Sequence, residues 1–449
     1  MERKIEIVSM ELIRPTSPTP DHLRCFEFSY LDQMAIPVFA PLALFYPPPS
    51  SHSTGGDHES YSNLEEARAA NSSRLLLLKK SLSETLARFY PFAGRIKGYL
   101  IECNDDGVPF YEAFAHNYQF EDIHRKFDVT KHFLPSVEGS SVLHYSCFPL
   151  LVQVTMFECG GMAIGMSAFH KVADGATLCT LANAWAITTR DSPDCVLPPE
   201  FVATAKFLPP PIPYVLNAPK FQFDFTKFFY NEQRVTKLFT FDASTIASLK
   251  AKAVCNDDVA VPTRVEVVSA VIWKSAMAAS GTETRSSKFA HQVNIRKRFV
   301  PPLPNHCVGN AIAIATACKG DKDGSDLSTL VTCIRKSLSE LSSKYVDKQN
   351  RDEAILAIPH DFLELTDAHF QGEIAMQISS VCGYQFYDVD FGWGKPSWFS
   401  VIQTGTRNQV ILMDSRDSGG IDALVCLKDE NSMSVFEHEL ELLASGFAK

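Results

Sequence analysis

The 449-residue chain lacks the excess of positive charge that a nucleic-acid partner requires. It has 42 lysine and arginine residues against 52 aspartate and glutamate residues, a formal net charge of -10. It also lacks a long hydrophobic run, because prolines interrupt its longest apolar stretch, residues 34–45. That stretch is shorter than the ~20 residues of a membrane span. These absences argue against a nucleic-acid partner and against a membrane partner.

Closely spaced cysteine pairs are absent as well. The twelve cysteines are scattered singly, without a Cys-x-x-Cys pair. The N-terminal Met1-Glu-Arg-Lys-Ile-Glu6 is charged and has no apolar leader, and the C-terminal Ser445-Gly-Phe-Ala-Lys449 matches no retention or lipidation signal. In a chain of this length, the pattern predicts reduced thiols in a cytoplasmic protein.

Several common catalytic motifs are missing too. Without a Gly-x-Ser-x-Gly elbow, a hydrolase serine nucleophile is not expected. Without His-Glu-x-x-His, no zinc site is expected, and the prediction for metals is none. Neither a Gly-x-Gly-x-x-Gly fingerprint nor a phosphate-binding loop with Lys-Ser/Thr occurs. By elimination, a catalytic histidine in this chain would act on its substrate directly.

The most informative stretch that is present runs from residue 148 to residue 175. Residues 150–157 and 162–169 are apolar, and Glu158-Cys-Gly-Gly161 between them is a turn, which together predict a β-hairpin. The second strand leads into His170-Lys-Val-Ala-Asp174, and residues 176–186 predict a helix. Loops between a buried strand and a helix are where a rigid scaffold presents reactive groups.

A neutral imidazole at His170 could take a proton from an alcohol or amine while that group attacks a carbonyl carbon. The alternative is a packed histidine, with Asp174 capping the next helix. From this spacing alone the packed alternative is the more frequent, because His-x-x-x-Asp occurs often by chance.

The length predicts about two or three domains. A proline-rich stretch, residues 191–228, is interpreted as a crossover between an N-terminal lobe, residues 1–190, and a C-terminal lobe, residues 229–449. Strands and helices alternate in both lobes, which predicts an α/β protein. The elements predicted by periodicity and turn residues are helices at 74–90, 243–253, 263–274 and 330–341, a hairpin of strands 99–103 and 108–113 around Asn104-Asp-Asp-Gly107, strands at 234–241, 291–294, 308–317, 409–414 and 421–427, and a closing helix.

Two motifs together resemble a known family. His170-Lys-Val-Ala-Asp-Gly175 and Asp390-Phe-Gly-Trp-Gly-Lys-Pro396, in that order and about 220 residues apart, resemble the two signatures of the plant BAHD acyltransferases. Either motif alone is weak evidence, but the pair is specific. Further matches cover nearly the whole chain and include Leu31-Asp-Gln33, Phe89-Tyr-Pro-Phe-Ala-Gly-Arg95 and Val293-Asn-Ile-Arg296. Within that family, the sequence resembles the alkaloid acetyltransferases.

The resemblance implies two similar lobes of mixed sheet plus helices, of the chloramphenicol-acetyltransferase type, with a solvent channel between them. It implies an acyl-CoA co-substrate, with acetyl-CoA the expected donor, a small-molecule alcohol acceptor, no bound cofactor and a monomer. His170 would deprotonate the acceptor hydroxyl, which attacks the thioester without a covalent acyl-enzyme. Thr263 and Ser269 would help to line the coenzyme A side.

The resemblance also assigns supporting roles. Asp174 would turn away from the substrate and pair with Arg296, bracing the loop that carries His170. Asp390 is a motif residue often counted with the active centre, and it is expected to be structural, tying a loop of the second lobe. Trp393 of the same motif would support that loop.

One departure from the family pattern concerns the residues ahead of Asp390. The family usually has Ser-Trp-Cys-Arg or Thr-Trp-x-Arg there, whereas this chain has Ser379-Ser-Val-Cys-Gly383, with Val381 and Gly383 in place of tryptophan and arginine. Loss of one oxyanion donor lowers rates on the order of a hundredfold. Either another donor substitutes and the extra space accommodates a bulky acceptor, or the chain has diverged. A diverged chain would catalyse elimination or cyclisation, or bind ligands without catalysis.

Overall fold

A computed structural model of the chain describes residues 3–48, 64–125, 127–135, 147–192, 195–201, 234–253, 261–282, 285–299, 301–345, 374–401, 408–416 and 419–445. These residues form fifteen β-strands: β1 Lys4–Ile13, β2 Cys25–Glu27, β3 Phe39–Tyr46, β4 Arg95–Lys97, β5 Leu100–Glu102, β6 Val108–His116, β7 Leu150–Phe157, β8 Met162–Phe169, β9 Val235–Phe241, β10 Ser287–Asn294, β11 Ile312–Lys319, β12 Ile374–Ser380, β13 Trp398–Ser400, β14 Gln409–Asp414 and β15 Ile421–Leu427. They also form seven α-helices: α1 Tyr30–Met34, α2 Leu64–Arg88, α3 Gly175–Thr189, α4 Ala243–Ala253, α5 Arg264–Ser280, α6 Leu327–Tyr345 and α7 Glu430–Ser445. None of these helices is long and apolar enough to cross a membrane.

The chain divides into two compact units. The first comprises Met1–Pro211, Pro304–Asn310 and Tyr384–Thr404, and the second comprises Ile212–Leu303, Ala311–Gly383 and Gly405–Lys449. The sequence-based division placed residues 304–310 and 384–404 in the C-terminal lobe, so the observed division differs at both segments. For the second segment the reason is β13, which pairs antiparallel with β3. Of the predicted crossover, residues 193–194 and 202–228 lie outside the described residues.

The first unit is built on a six-stranded mixed sheet with the order β1-β6-β7-β8-β3-β13. In that sheet β6 and β7 run parallel, and the other neighbouring strands run antiparallel. The second unit has a six-stranded mixed sheet with the order β11-β10-β12-β14-β15-β9. Here β12 runs parallel to both of its neighbours, and the remaining pairs are antiparallel.

The two units share an internal pattern. Strands β6, β7, β8 and β3 pair in the sequence parallel, antiparallel, antiparallel, and strands β12, β14, β15 and β9 pair in the same sequence. In the first unit the hairpin β7–β8 is followed by helix α3, and in the second unit the hairpin β14–β15 is followed by helix α7. The predicted α/β class, with two similar lobes of mixed sheet and helices, is confirmed.

The predicted hairpin of β7 and β8 forms, with Leu150 opposite Ala168 and Met156 opposite Met162. All eight residues of β8 are buried, as expected for a central strand that is covered on both faces. Gly165 is required within β8, because a Cβ atom there would lie 2.1 Å from the Phe133 carbonyl oxygen. The middle of β8 therefore packs closely against the backbone at Phe133.

The predicted hairpin around residues 104–107 is wrong. Strand β5 pairs with β2 and β4 in a separate three-stranded sheet, whereas β6 pairs with β1 and β7. Asp105, at a φ of 61°, explains the change of direction. Its carboxylate accepts hydrogen bonds from the Thr19 N–H at 2.9 Å and from the Arg24 guanidinium at 2.8 Å. These contacts hold the turn at which the chain leaves the three-stranded sheet and enters the six-stranded sheet of the first unit.

His291 is a buried histidine of β10 in the second unit, where it is 7% exposed. Burial lowers its pKa from 6.5 to about 4, and the Arg298 charge acts in the same direction while Glu266 opposes it. The unfolded chain takes up a proton at this side chain near pH ~6.5, whereas the folded chain does so only at a lower pH. Stability is therefore lost as the pH falls between these two values.

We expect His291 to remove about 2 kcal/mol from the free energy of unfolding between about pH 7 and about pH 5. His291→Asn has no titrating ring, so it should be less acid-sensitive than the wild type. Urea titrations at both pH values measure the difference. His438→Gln, which changes an exposed histidine of α7, is the control and should follow the wild type. An unchanged acid sensitivity in His291→Asn would contradict this account.

Candidate active site

The end of β8 presents His170 on a tight turn. The His170 N–H donates to the Val38 carbonyl at 2.8 Å. The N–H groups of Val172 and Ala173 donate to the Phe169 carbonyl at 2.8 and 3.3 Å. These hydrogen bonds fix the backbone from which the imidazole projects. His170 itself is half-buried, unlike the fully buried strand that precedes it.

Asp174 is the N-cap of α3. It is 1% exposed, and its Oδ1 accepts a hydrogen bond from the Thr177 N–H at 2.9 Å. The Thr177 hydroxyl donates to the Gly309 carbonyl at 2.9 Å and accepts from the Gly309 N–H at 3.1 Å. The capping role that the sequence offered for Asp174 is present. The same helical turn also holds Gly309 beside the His170 loop.

A buried carboxylate, Asp32, lies at the start of α1 and is 1% exposed. Its Oδ2 accepts from the Ser29 N–H at 3.0 Å and from the Ser29 hydroxyl at 2.6 Å. Its Oδ1 accepts from the Asn310 N–H at 2.6 Å and from Asn310 Nδ2 at 2.9 Å. Burial raises the pKa of Asp32 to about 6, although the hydrogen bonds from Ser29 and Asn310 oppose the rise. Four hydrogen-bond donors thus face the two carboxylate oxygens of Asp32, and this arrangement favours the ionised form.

Asn310 connects Asp32 to His170. It is 2% exposed, and its Nδ2 donates to the His170 carbonyl at 2.7 Å as well as to Asp32. Both partners are acceptors, so the amide nitrogen faces them and Oδ1 faces the imidazole. Asn310 Oδ1 lies 3.1 Å from His170 Nδ1. In the neutral imidazole, Nδ1 is then the protonated nitrogen and the lone pair is on Nε2.

Lys171, next to His170, is a half-buried cation. Its Nζ donates to the Gln33 carbonyl at 3.1 Å. Burial lowers the pKa of Lys171, and the negative charge of Asp32 opposes that effect. The charge of Asp32 therefore helps to keep the Lys171 ammonium protonated.

The motif of residues 390–394 forms its own closed loop in the first unit. Asp390 Oδ1 accepts from the N–H groups of Gly392 at 2.8 Å and Gly394 at 3.0 Å. Trp393 stacks on Phe391 with ring centroids 5.6 Å apart. These contacts fit the predicted structural role of Asp390, but they tie a loop of the first unit rather than of the second.

The loop is anchored to two helices of the same unit. The Arg74 guanidinium of α2 lies 5.3 Å from the Trp393 ring centroid. The Trp185 ring of α3 meets Phe391 edge to face at 5.1 Å. Through Trp185 the second motif packs against the helix that follows His170 and Asp174.

The other predicted site residues lie in the second unit. Thr263 caps α5, since its hydroxyl accepts from the Glu266 N–H at 3.1 Å. Ser269 is fully buried in the same helix, and its hydroxyl has no hydrogen-bond partner among the described residues. Arg296 is 2% exposed, and its Nη1 donates to Asn294 Oδ1 at 3.3 Å. The coenzyme A contacts of Thr263 and Ser269, and the pairing of Arg296 with Asp174, stay predictions.

The segment that departs from the family pattern follows β12. Val381 is half-buried, and its N–H donates to the Leu412 carbonyl at 2.8 Å. Gly383 has a φ of 82°, and its N–H donates to Asp414 Oδ2 at 2.6 Å. A Cβ atom at Gly383 would meet nothing within 4 Å. The backbone conformation, rather than lack of space, therefore favours glycine over arginine here.

Asp32 and Asn310 were not predicted as site residues. Asp32 appears in the sequence only as part of the family match Leu31-Asp-Gln33, and Asn310 carries no local signal. They are 278 residues apart, and Asn310 is 140 residues from His170. Across the described ranges, no group of three His, Cys, Asp or Glu side chains is arranged to hold a metal ion.

Comparison with known proteins gives a consistent result. The model of the Transferase family matches residues 3–443. Vinorine synthase of Rauvolfia serpentina is 34% identical over 459 residues, with 100% of both chains covered. A crystal structure of vinorine synthase has a TM-score of 0.77 at 32% identity and covers 98% of both chains.

Two further proteins are similar over most of the chain. Limonoid 7-O-acetyltransferase of Citrus sinensis is 35% identical over 468 residues, covering 98% of this chain and 97% of its own. A crystal structure of TRI101 of F. graminearum, complexed with coenzyme A and T-2 mycotoxin, has a TM-score of 0.68 at 15% identity and covers 91% and 96% of the two chains. This last likeness is one of fold.

Proposed function

The chain belongs to this transferase family, the BAHD acyltransferases, and we propose that it moves an acetyl group from acetyl-CoA to a hydroxyl of an alkaloid or terpenoid alcohol, with His170 as general base. The acyltransferase class follows from the family. The acetyl donor is supported by the limonoid 7-O-acetyltransferase, whose name states the group that it transfers. The class of acceptor is proposed by analogy with the same relatives.

The observation that carries the proposal is the contact between Asn310 Oδ1 and His170 Nδ1 at 3.1 Å. In the neutral imidazole, this contact favours the tautomer with the proton on Nδ1 and the lone pair on Nε2. A half-buried histidine in this tautomer has one basic atom available to a substrate hydroxyl.

The reaction balances without any further group. Nε2 takes the proton of the acceptor hydroxyl while the oxygen forms a bond to the thioester carbonyl carbon. The tetrahedral adduct then breaks its carbon–sulfur bond, and the leaving thiolate takes the proton from the imidazolium. The products are the ester and coenzyme A, and His170 returns to its starting state. Coenzyme A enters and leaves as a co-substrate.

The test is release of free thiol from acetyl-CoA by the full-length protein with a panel of polycyclic alcohols. We expect thiol release to require an acceptor and to equal the amount of ester found by mass spectrometry. Reactions lacking the acceptor, and reactions lacking the thioester, are the controls. Product formed without any thioester would instead support elimination or cyclisation. Ligand binding in a calorimeter without turnover on any donor would support a binding protein.

Asp390 is proposed to act structurally, so Asp390→Ala should destabilise the fold more than it slows the reaction. The variant leaves two N–H groups of its loop without their acceptor, at a cost of about 1–2 kcal/mol. The midpoint of urea unfolding should fall, while kcat in the absence of urea changes less than about threefold. Asp390→Asn keeps an acceptor oxygen, so its urea midpoint should lie between those of the wild type and Asp390→Ala. A large loss of kcat with unchanged stability would contradict the structural role.

The proposal includes a monomeric protein in the cytoplasm. The resemblance to the family supports the monomer. The eleven cysteines in the described residues form no disulfide, which supports a reducing compartment. Light scattering of the purified chain tests the monomer, and fractionation of source tissue tests the compartment.

A further inference from the structure

We propose that Asp32 is a positioning residue for acyl transfer: its buried carboxylate fixes the orientation of the Asn310 amide, and the amide fixes the tautomer of His170. The inference rests on the proposed function, because it gives Asp32 and Asn310 a task in preparing the base. Neither residue is assigned a role by the family signatures in this chain.

The two oxygens of Asp32 serve different elements. Oδ2 receives both hydrogen bonds from Ser29 and so closes the capping box of α1. Oδ1 receives none from α1 and is used by Asn310, through the backbone N–H at 2.6 Å and through Nδ2 at 2.9 Å. Helix capping alone accounts for Oδ2. Helix capping does not explain why Oδ1 contacts Asn310, whose side chain in turn contacts His170.

The direction of the Asn310 amide depends on that oxygen. With the carboxylate present, Nδ2 has two acceptors, Asp32 Oδ1 and the His170 carbonyl, and a flipped amide would place Oδ1 against both. Without the carboxylate, the flip costs less, because only the His170 carbonyl still opposes it. A flipped amide presents N–H groups to Nδ1, which would move the ring proton to Nε2 and remove the base. Asp32 therefore acts on His170 through the choice of tautomer.

The carboxylate also contributes its charge. Proton transfer from the acceptor makes His170 a cation, and a negative charge behind Asn310 stabilises that cation through the intervening hydrogen bonds. Lys171 opposes this effect because it compensates part of the Asp32 charge. Here Asn310 lies between the aspartate and the histidine, whereas in a Ser-His-Asp triad the aspartate is hydrogen-bonded directly to the catalytic histidine. The effect of Asp32 on the rate should accordingly be smaller than the ~10⁴-fold that is lost when such a direct aspartate is neutralised.

The first measurement reads the tautomer directly and needs no turnover. The protein is labelled with ¹⁵N-histidine, and the His170 signals are assigned by their loss in His170→Gln. We expect protonated Nδ1 and unprotonated Nε2 in the wild type at neutral pH, and a larger share of the Nε2–H form in Asp32→Ala, which has no acceptor for Asn310 Nδ2. A proton on Nε2 in the wild type would overturn the proposal, whether or not any variant folds.

The second measurement separates positioning from stability. Asp32→Ala and Asn310→Ala should each lower kcat about tenfold to a hundredfold with KM within about twofold, and the double variant should be no slower than Asn310→Ala, because the residues act in series. Asp429→Ala, which removes the cap aspartate of α7, is the matched control and should lose stability without losing kcat. Independent, multiplying losses in the double variant would overturn the proposal. If wild type and His170→Gln were equally active, the assignment of His170 as general base in the proposed function would fail, while the tautomer result would still stand.

Discussion

His170→Gln is expected to lower kcat for acyl transfer by about 10²- to 10⁴-fold, because it removes the proton acceptor. The KM for acyl-CoA should stay within about threefold, since the imidazole acts on the acceptor rather than binding the thioester. Thermal unfolding should change little, because the side chain is half-buried at the end of β8 and the backbone hydrogen bond to Val38 remains. Steady-state thiol release with a saturating acceptor measures the effect.

The control for this substitution is His22→Gln, which changes an exposed histidine of the same unit. It should keep the wild-type kcat. A His170→Gln protein that is folded and turns over as fast as His22→Gln would remove His170 from the mechanism. Product formation by the wild type that survives the substitution, but needs no thioester, would point to the diverged reaction that Val381 and Gly383 suggested.

Trp185→Ala is expected to have the largest effect on stability. The indole is fully buried, and its Nε1 donates to the Leu78 carbonyl and to the Ser81 hydroxyl, each at 3.1 Å. Truncation of a buried tryptophan costs about 3–5 kcal/mol, a large fraction of a typical stability of about 5–15 kcal/mol. It also removes the edge-to-face contact with Phe391, so the loop of residues 390–394 and α3 should loosen together. In urea unfolding followed by circular dichroism, the unfolding transition of the first unit should move to a lower urea concentration.

Trp185→Phe is the matched control for the tryptophan. It keeps a ring for Phe391 but loses the indole N–H, so the expected destabilisation is about 1–3 kcal/mol. If alanine and phenylalanine at this position gave the same unfolding midpoint, ring packing would not connect the second motif to α3. The structural role proposed for residues 390–394 would then be contradicted.

Local patterns in the sequence predict the central part of the fold. The turn Glu158-Cys-Gly-Gly161 between two apolar runs predicts the β7–β8 hairpin, and the hairpin is present. Leucines at helical spacing predict α2, which extends from Leu64 to Arg88 and begins earlier than the predicted residue 74. Such features depend on residues close together in the chain, which is why the sequence reveals them.

Features that depend on distant partners were missed or wrong. The turn at residues 104–107 has the composition of a hairpin turn, but its two strands find other partners and join different sheets. The three-residue strand β13 is too short to show periodicity, and its pairing with β3 moves residues 384–404 into the first unit. Pairing of this kind is decided by packing that no local window contains.

The same distinction applies to the site. His170 and Asp174 could be predicted because one loop contains them both. Asp32 and Asn310 could not, because the contact between them joins residues 278 positions apart. Residue types alone did not distinguish Asp32 from any other capping aspartate. Only the second carboxylate oxygen, turned toward Asn310, reveals the connection to His170.

The most direct test of the central claim is a single-turnover reaction with acetyl-CoA labelled in the acetyl group. The full-length protein is mixed with the labelled thioester and an accepted alcohol, quenched over time, and separated into product, coenzyme A and protein. The account predicts that the label passes to the alcohol in step with thiol release, that none is retained on the protein, and that His170→Gln slows the transfer. Product that carries no label, or a labelled protein that later donates the group, would contradict it.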